Sequence, residues 1–360
     1  MKREDRQTSD PLLAQKLKLD EVSHDRLDYF LANGYRVLGQ ALYNSAFLRA
    51  DDGDFYTVLS ARLPLSGYSF TKSQRKLLRK NRSLFRFEIG PARKTDAKTW
   101  VNDLYGRKFP RKYCDNLDYF LLNERGIKAV DTWEIEIYKD DELIGFSFFD
   151  LGHESIYSKV GIYDPDFSEY SLGYYTMLEE LAFAQDRNMK YYYPGYVVPG
   201  CRDFDYKHRL GDVEVKDWHT AEWQPYSRIK HAPLLLEEMV MALTGIKAEL
   251  HARGIATIMV WNPNFNYPLW WYNSEDYLYL PVVLGFLDHE GGIKTNNYLV
   301  ADPLKKTYQL LSCYPLDTSK QLAFFPKGSD SMMLFLPQVF RRSQHWPWKN
   351  AADLAAKFRK

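Results

Sequence analysis

From Trp133 to Tyr138 the chain alternates apolar and polar residues with period two, breaks at Asp140-Asp141-Glu142, and resumes as an apolar run from Leu143 to Phe149. Such alternation marks a half-buried strand, and an acidic turn between two such runs predicts a β-hairpin. Ser155–Tyr163 predicts a third strand. Leu172–Arg187 carries Tyr174, Leu178, Leu181 and Ala182 at helical spacing, and the Tyr- and Val-rich stretch Met189–Val198 predicts another strand. Strand, helix and strand in immediate succession form a βαβ unit, whose parallel crossover is right-handed.

Upstream the pattern is more broken. Residues 1–28 are highly charged and predict a lead-in with one short helix. Tyr35–Tyr43 and Phe55–Leu63 read as short strands or irregular structure, and Thr71–Asn81 as a helix. Residues 91–130 read as partly helical, with Trp100, Leu104, Tyr105, Tyr119, Phe120 and Leu121 as anchors. Downstream of Pro225, Leu234–Arg253 predicts a long helix ended by Gly254, followed by strand-like pieces at Ala256–Trp261, Tyr277–Leu287 and Asn297–Tyr314. Four segments result: the lead-in (1–28), an N-terminal segment (29–130), a core (131–226) and a C-terminal α+β extension (227–360). A hairpin feeding a βαβ unit is the layout of a GNAT-like acyltransferase core with a mixed sheet, so the expected class is α/β (α+β).

Composition narrows this. The 360 residues are 45% apolar, enough for a substantial core. The 27 Tyr and 9 Trp suit cores, interfaces and base stacking alike. A net charge of +1 excludes a uniformly basic nucleic-acid coat. Cys114, Cys201 and Cys313 have no CxxC spacing, which argues against a disulfide framework or a four-cysteine zinc site. His153, His208 and His219 have no ligand spacing, so no metal is expected. Cys201 reads as a small apolar residue. The N-terminus has no apolar signal-like run, and no stretch approaches the roughly 20 apolar residues that span a membrane. The cytoplasm is the expected compartment.

Charge is segregated, however. Residues 72–112 hold 14 Lys and Arg against three acids, leaving the rest of the chain net acidic. Within the helix predicted over 71–81, Lys72, Arg75, Lys76 and Arg79 share one face at i, i+3, i+4 and i+7. Like-charged i,i+4 pairs cost a few tenths of a kcal/mol each, and no acid lies between Asp54 and Glu88 to offset them. A phosphate-binding surface accounts for the stripe; a solvated face neutralised by tertiary contacts is the alternative. Thr71 and Gln74 fit a capping box, which explains those two residues without ligand chemistry.

The strand end Gly161-Ile-Tyr-Asp-Pro-Asp166 leads into a helix opened by Ser168-Glu-Tyr-Ser-Leu-Gly-Tyr174. Exposed N–H groups at such a junction suit an anionic or carbonyl oxygen; a Pro turn with a Ser cap is the plainer account. The run Tyr163-Asp-Pro-Asp, Ser171-Leu-Gly-Tyr-Tyr, Tyr191-Tyr-Tyr-Pro-Gly-Tyr196, Pro199-Gly-Cys201 and Tyr206-Lys207 resembles the C-terminal region of the arginyl- and leucyl-tRNA-protein transferases. Thr71–Asn81 is similar to that family's SRSQRRVLRRN-type segment, and Arg62 falls where a similar upstream Arg is expected. Residues 227–360 match nothing in this pattern.

The resemblance implies an aminoacyltransferase with a GNAT-like fold. Its donor is an aminoacyl-tRNA carrying Arg or Leu, and its acceptor is a protein N-terminus, usually Asp or Glu. Aminolysis of an ester needs no cofactor, but it needs a deprotonated amine, an oxyanion partner and a seat for the terminal adenosine. Lys72, Arg75, Lys76, Arg79 and Lys207 become candidates for tRNA phosphates. Asp164 and Asp166 are candidates to hold the incoming amine or take its proton, with turn and cap chemistry as the alternative, and Gly173 is a candidate for the donor's acyl group. Arg62, Gln74, Tyr163, Tyr174 and Tyr196 are candidates for the acceptor; Arg62 or Arg75 would meet an acidic side chain, and Tyr191–Tyr196 would stack adenine. The chain departs from the family's N-terminal CxxCxPxR-type stretch. Aligning Arg62 puts Phe55 and Val58 at the two cysteine positions, so a metal cluster cannot be built from those ligands. Two further readings stay open: an acyl-CoA-dependent transferase, and a tRNA- or degron-binding homologue without activity.

Overall fold

The computed structural model describes residues 13–229, 231–266, 278–288, 292–315, 324–326, 331–334 and 340–348. The start of the expected lead-in and Tyr277 lie outside the described residues. The N-terminal part contains β1 (Ala14–Leu17), α1 (His24–Ala32), β2 (Arg36–Leu38), β3 (Ala41–Ser45), β4 (Phe47–Arg49), β5 (Phe55–Thr57), β6 (Leu59–Pro64), α2 (Lys72–Leu84), β7 (Arg86–Pro91), α3 (Asp96–Lys108) and α4 (Asp118–Leu121). The core continues with β8 (Thr132–Lys139), β9 (Glu142–Leu151), β10 (Ser155–Tyr163), α5 (Leu172–Asp186), β11 (Tyr191–Tyr193), β12 (Tyr196–Val197), β13 (Glu214–Lys216) and β14 (Trp223–Pro225). Then follow α6 (Tyr226–Ile229), α7 (Leu235–His251), β15 (Thr257–Trp261), β16 (Val282–Leu287), β17 (Ile293–Asp302), β18 (Thr307–Pro315), β19 (Phe324–Pro326), β20 (Ser331–Leu334) and β21 (Phe340–Trp348).

The hairpin expected at 133–149 lies inside the main sheet, whose order is β14-β13-β6-β11-β10-β9-β8-β7. Strands β7 to β10 are successively antiparallel, and β10 pairs β11 in parallel across α5. This is the mixed sheet and βαβ crossover of a GNAT-like core. On one face, Leu172, Tyr175, Leu178 and Leu181 of α5 pack on Ile135, Ile137, Phe149, Ile156 and Tyr192. On the other, Val101 and Tyr105 of α3 pack on Phe146, Phe148 and Ile162. Fully burying each such aliphatic or aromatic side chain contributes roughly 1.5–3 kcal/mol.

The C-terminal sheet runs β19-β20-β15-β16-β17-β18-β21 among the described residues. Met239, Leu243, Ile246 and Leu250 of α7 join it to Phe47 and Phe55 of the β4–β5 hairpin in one apolar cluster. Phe55 stacks on Trp261 with ring centroids 4.9 Å apart, and Val58 is buried. Where the resemblance places two cysteines, this chain therefore has apolar core.

Several local expectations change. Trp100 and Tyr119 are 54% and 46% exposed rather than anchoring, because they sit on the outward faces of α3 and α4. Asn297–Tyr314 is not one strand but an antiparallel pair, β17 and β18. Met189–Val198 is interrupted by Pro194-Gly195, with Gly195 at φ +88°, because proline cannot donate to a ladder. The strand at 133–138 is buried on both faces: Glu134 and Glu136 lie under α3, where the fully buried Lys98 ammonium reaches each carboxylate at 2.8 Å. A period-two pattern reports which face a residue takes, and cannot reveal that a lysine on another element covers the polar face.

Candidate active site

The interruption at Pro194-Gly195 creates the site. Strand β10 pairs β11 only through Ser155–Tyr157 with Tyr191–Tyr193. Beyond that, β10 continues to Tyr163 while the other chain turns away as β12 to pair β6. A wedge opens between them, with the unpaired edge of β10 as one wall.

The first turn of α5 sits over that wall. A Cβ on Gly161 would lie 3.6 Å from Gly173 Cα and O, and one on Gly173 would lie 3.4 Å from the Tyr163 ring. Two glycines permit this close strand–helix approach, and Gly145 leaves room for Tyr163 from the neighbouring strand. Ser171 takes the left-handed conformation at φ 53° and makes no side-chain cap. The Leu172 and Gly173 N–H groups fall in the turn where a helix has no internal acceptor. Asp164 accepts from the Asp166 N–H at 3.0 Å and caps the 3-10 segment Pro165–Tyr170. Tyr163 meets Tyr105 edge-on at 5.4 Å between centroids.

The opposite wall is aromatic and cationic. Lys207 lies in the 3-10 segment Arg202–Leu210, is only 6% exposed, and donates from Nζ to the Tyr196 carbonyl at 2.7 Å. Its ammonium lies 4.7 Å from the Tyr196 ring centroid, 5.4 Å from Phe204 and 5.8 Å from Tyr206. Burial, with the nearby Arg36 charge adding, pushes Lys207 down to about 7. Arg36, on β2, is 2% exposed and lies over the rings of Tyr43 at 4.7 Å and Tyr196 at 5.1 Å. Beneath the wedge, on the α5 face, the buried Glu180 accepts from the Tyr192 hydroxyl at 2.7 Å; burial pushes its carboxyl up to about 7.

The cationic helix is attached to this wall through Gln74. Gln74 is 2% exposed and completes the capping box, accepting from the Thr71 N–H at 2.7 Å. Its amide donates to the Arg209 and Leu210 carbonyls at 2.8 and 3.2 Å and to the Tyr174 hydroxyl at 3.1 Å. Tyr174 in turn donates to the Arg209 carbonyl at 2.7 Å. Lys72, Arg75, Lys76, Arg79 and Lys80 all face solvent. Among the described residues only Arg82 of this helix has a carboxylate partner, Glu179 at 2.8 and 2.6 Å. Among the described residues no carboxylate neutralises the stripe.

The expected site residues thus divide. Asp164, Tyr163, Gly173 and Tyr196 border the wedge, with Asp166 beside them on the β10–α5 corner. Gln74 and Tyr174 form the clasp behind it. Arg62 lies on β6, bound to Glu214 at 2.7 Å between Tyr191 at 4.2 Å and Trp223 at 4.4 Å. Lys207 is a buried member of the wedge wall, separate from the exposed stripe. Sequence reasoning passed over Arg36 and Glu180. For Glu180 a signal exists, two acids at 179–180 within an otherwise apolar helix; for Arg36, one cation in a three-residue strand gives none.

Residues 94–217 match the family described as "Arginine-tRNA-protein transferase, C terminus". The chain is 26% identical over 211 residues to an aspartate/glutamate leucyltransferase of Leptospira interrogans, covering 55% of this chain and 77% of the relative. It is 28% identical over 204 residues to one of Campylobacter jejuni, covering 52% and 79%. Among solved structures, the C-terminal domain of a putative lysylphosphatidylglycerol synthetase from Agrobacterium fabrum overlaps at TM-score 0.32 and 11% identity, covering 39% of this chain and 46% of that one. FemX overlaps at TM-score 0.32 and 11% identity, covering 54% and 65%. The chain thus spans about half to two thirds of the length of these structures.

Proposed function

Through residues 94–217 the chain belongs to the arginyl/leucyl-tRNA-protein transferase family, and from that premise we propose that it moves an aminoacyl group from charged tRNA to the α-amine of an acidic protein N-terminus in the cytoplasm. The relatives' names point to leucine as the donor residue, with arginine as the comparison donor. The observation that carries the reading is the Gln74 clasp: it fixes an exposed, unneutralised cationic helix to the segment bearing Lys207. A phosphate ladder on that helix delivers its 3′ end beside the wedge.

In this reading the donor ester lies along the free edge of β10. The Leu172 and Gly173 N–H groups polarise its carbonyl, with the α5 dipole behind them. Asp164 and Asp166 hold the corner that aims those groups. The acceptor amine enters along Tyr196 and attacks the carbonyl carbon. A C–N bond forms, the C–O bond to the ribose breaks, and the amine's surplus proton passes to Lys207 and on to the departing ribose oxygen. A lysine near pKa 7 suits this exchange, since a shuttle works best when its pKa is close to ambient pH.

The test supplies labelled leucyl-tRNA or arginyl-tRNA with peptides beginning Asp, Glu, Asn or Ala. Product from leucyl-tRNA with the Asp and Glu peptides is expected. Absence of product from either donor with every peptide overturns the reading.

A further inference from the structure

The Arg36–Lys207 pair has more donors than the protein satisfies. Arg36 Nη2 donates to the Ser45 carbonyl at 2.7 Å, while Nε and Nη1 are buried without a partner. Those two nitrogens carry three N–H groups. Among the described residues neither Arg36 nor Lys207 has a carboxylate partner, although both press on the same Tyr196 ring. A buried guanidinium beside a buried amine, with no anion among the described residues, costs the fold stability that apolar replacements would recover. Such an arrangement makes sense when the anion arrives with the substrate.

We propose that Arg36 reads the acceptor, its unpartnered donors taking the side-chain carboxylate of an Asp or Glu at the acceptor's N-terminus. This rests on the reading above that the wedge receives a protein N-terminus. The size of the site favours a carboxylate over a nucleic-acid phosphate. A guanidinium 2% exposed between Tyr43 and Tyr196 is out of reach of a backbone carrying sugars on both sides. Gly195 brings the backbone close to the pair: a Cβ there would lie 3.6 Å from Lys207 Nζ and the Tyr157 hydroxyl. The other arginines considered for this task are committed. Arg62 is matched by Glu214, and Arg75 lies in the exposed stripe with Nη1 on the Phe70 carbonyl.

The test is binding, which stays informative whether or not transfer occurs. Matched short peptides beginning with Asp or Asn are titrated calorimetrically into the wild-type chain, R36Q and R36K, with melting temperatures recorded. The wild type is expected to bind the Asp peptide roughly 10- to 100-fold more tightly, the range for charge-assisted hydrogen bonds. R36Q is expected to bind both alike while melting no lower than wild type, since it removes an unmatched charge. R36K, which keeps the charge and loses the planar fork, is expected to fall between. Equal wild-type affinity for the two peptides overturns the proposal. So does an R36Q variant that still prefers Asp, or one that loses affinity for charged tRNA instead. If R36Q does not fold, the wild-type and R36K ratios decide. Failure of transfer with this preference intact contradicts the proposed function and leaves the Arg36 assignment standing.

Discussion

Among the described residues the chain carries two sets of basic side chains without a carboxylate partner, and they differ in solvent. On α2, Lys72, Arg75, Lys76 and Arg79 stand in water, where each charge costs little to leave unpaired. At the wedge, Arg36 and Lys207 are 2% and 6% exposed, and the same charges are expensive. An exposed stripe attracts a polyanion over a distance set by salt; a buried pair recognises one small anion by contact. On the proposed reading, one surface holds the donor's nucleic acid and the other the acceptor.

The sharpest way to break this comparison is to remove the buried amine. Lys207→Met is expected to slow transfer by 10²–10⁴-fold, the usual worth of a positioned proton acceptor. Its tRNA affinity should stay within about twofold of wild type, because the stripe is untouched, and it should melt at or above the wild-type temperature. Stopped-time transfer assays and filter binding separate the two effects.

Charge reversal on the exposed set should do the opposite. Arg75→Glu with Arg79→Glu is expected to weaken tRNA binding by at least 10²-fold near 0.1 M salt. The log–log salt slope should become shallower by about one to two, reflecting two lost phosphate contacts. Asp-peptide binding is expected to be unaltered.

Gln74→Ala tests the link between the sets. Two carbonyls, of Arg209 and Leu210, lose their amide donor, and the capping box loses its reciprocal bond. A loss of about 2 kcal/mol is expected in denaturant unfolding, with transfer falling further than either binding affinity.

The smallest effect concerns pH. Glu180 is raised from 4.5 to about 7 in the fold, so folding favours its protonated form. That contribution is present below pH 4.5 and is lost as pH rises to about 7. Lys207 is lowered from 10.5 to about 7, so its contribution is present above pH 10.5 and is lost as pH falls to about 7. Glu180→Gln should flatten the stability profile between pH 4.5 and 7 and leave the alkaline limb alone.

The sequence displays one cationic set and hides the other for a physical reason. Lys72 to Arg79 recur at helical spacing with no acid nearby, so periodicity and local charge suffice. The hairpin and β10 are legible from their strand pattern, and α5 from a largely apolar run of helical length between two strands. Arg36 and Lys207 lie 171 positions apart, and only the pairing of β2 with β3 and the turn at Pro194-Gly195 bring them to one ring. Lys98 beneath Glu134 and Glu136 is hidden likewise. Burial of a charge is a tertiary fact, and no local pattern encodes which lysine will be desolvated. Arg62 shows the converse, since its position matches the motif but its charge is spent on Glu214.

The most direct measurement follows transfer of leucine from leucyl-tRNA to an Asp-initiated peptide as a function of ionic strength. The KM for charged tRNA should rise steeply from about 0.05 to 0.2 M salt, while the KM for the peptide stays nearly flat because its contact is buried. Peptide KM rising in step with tRNA KM, or no transfer at any salt, would contradict the division of labour between the exposed and buried cations.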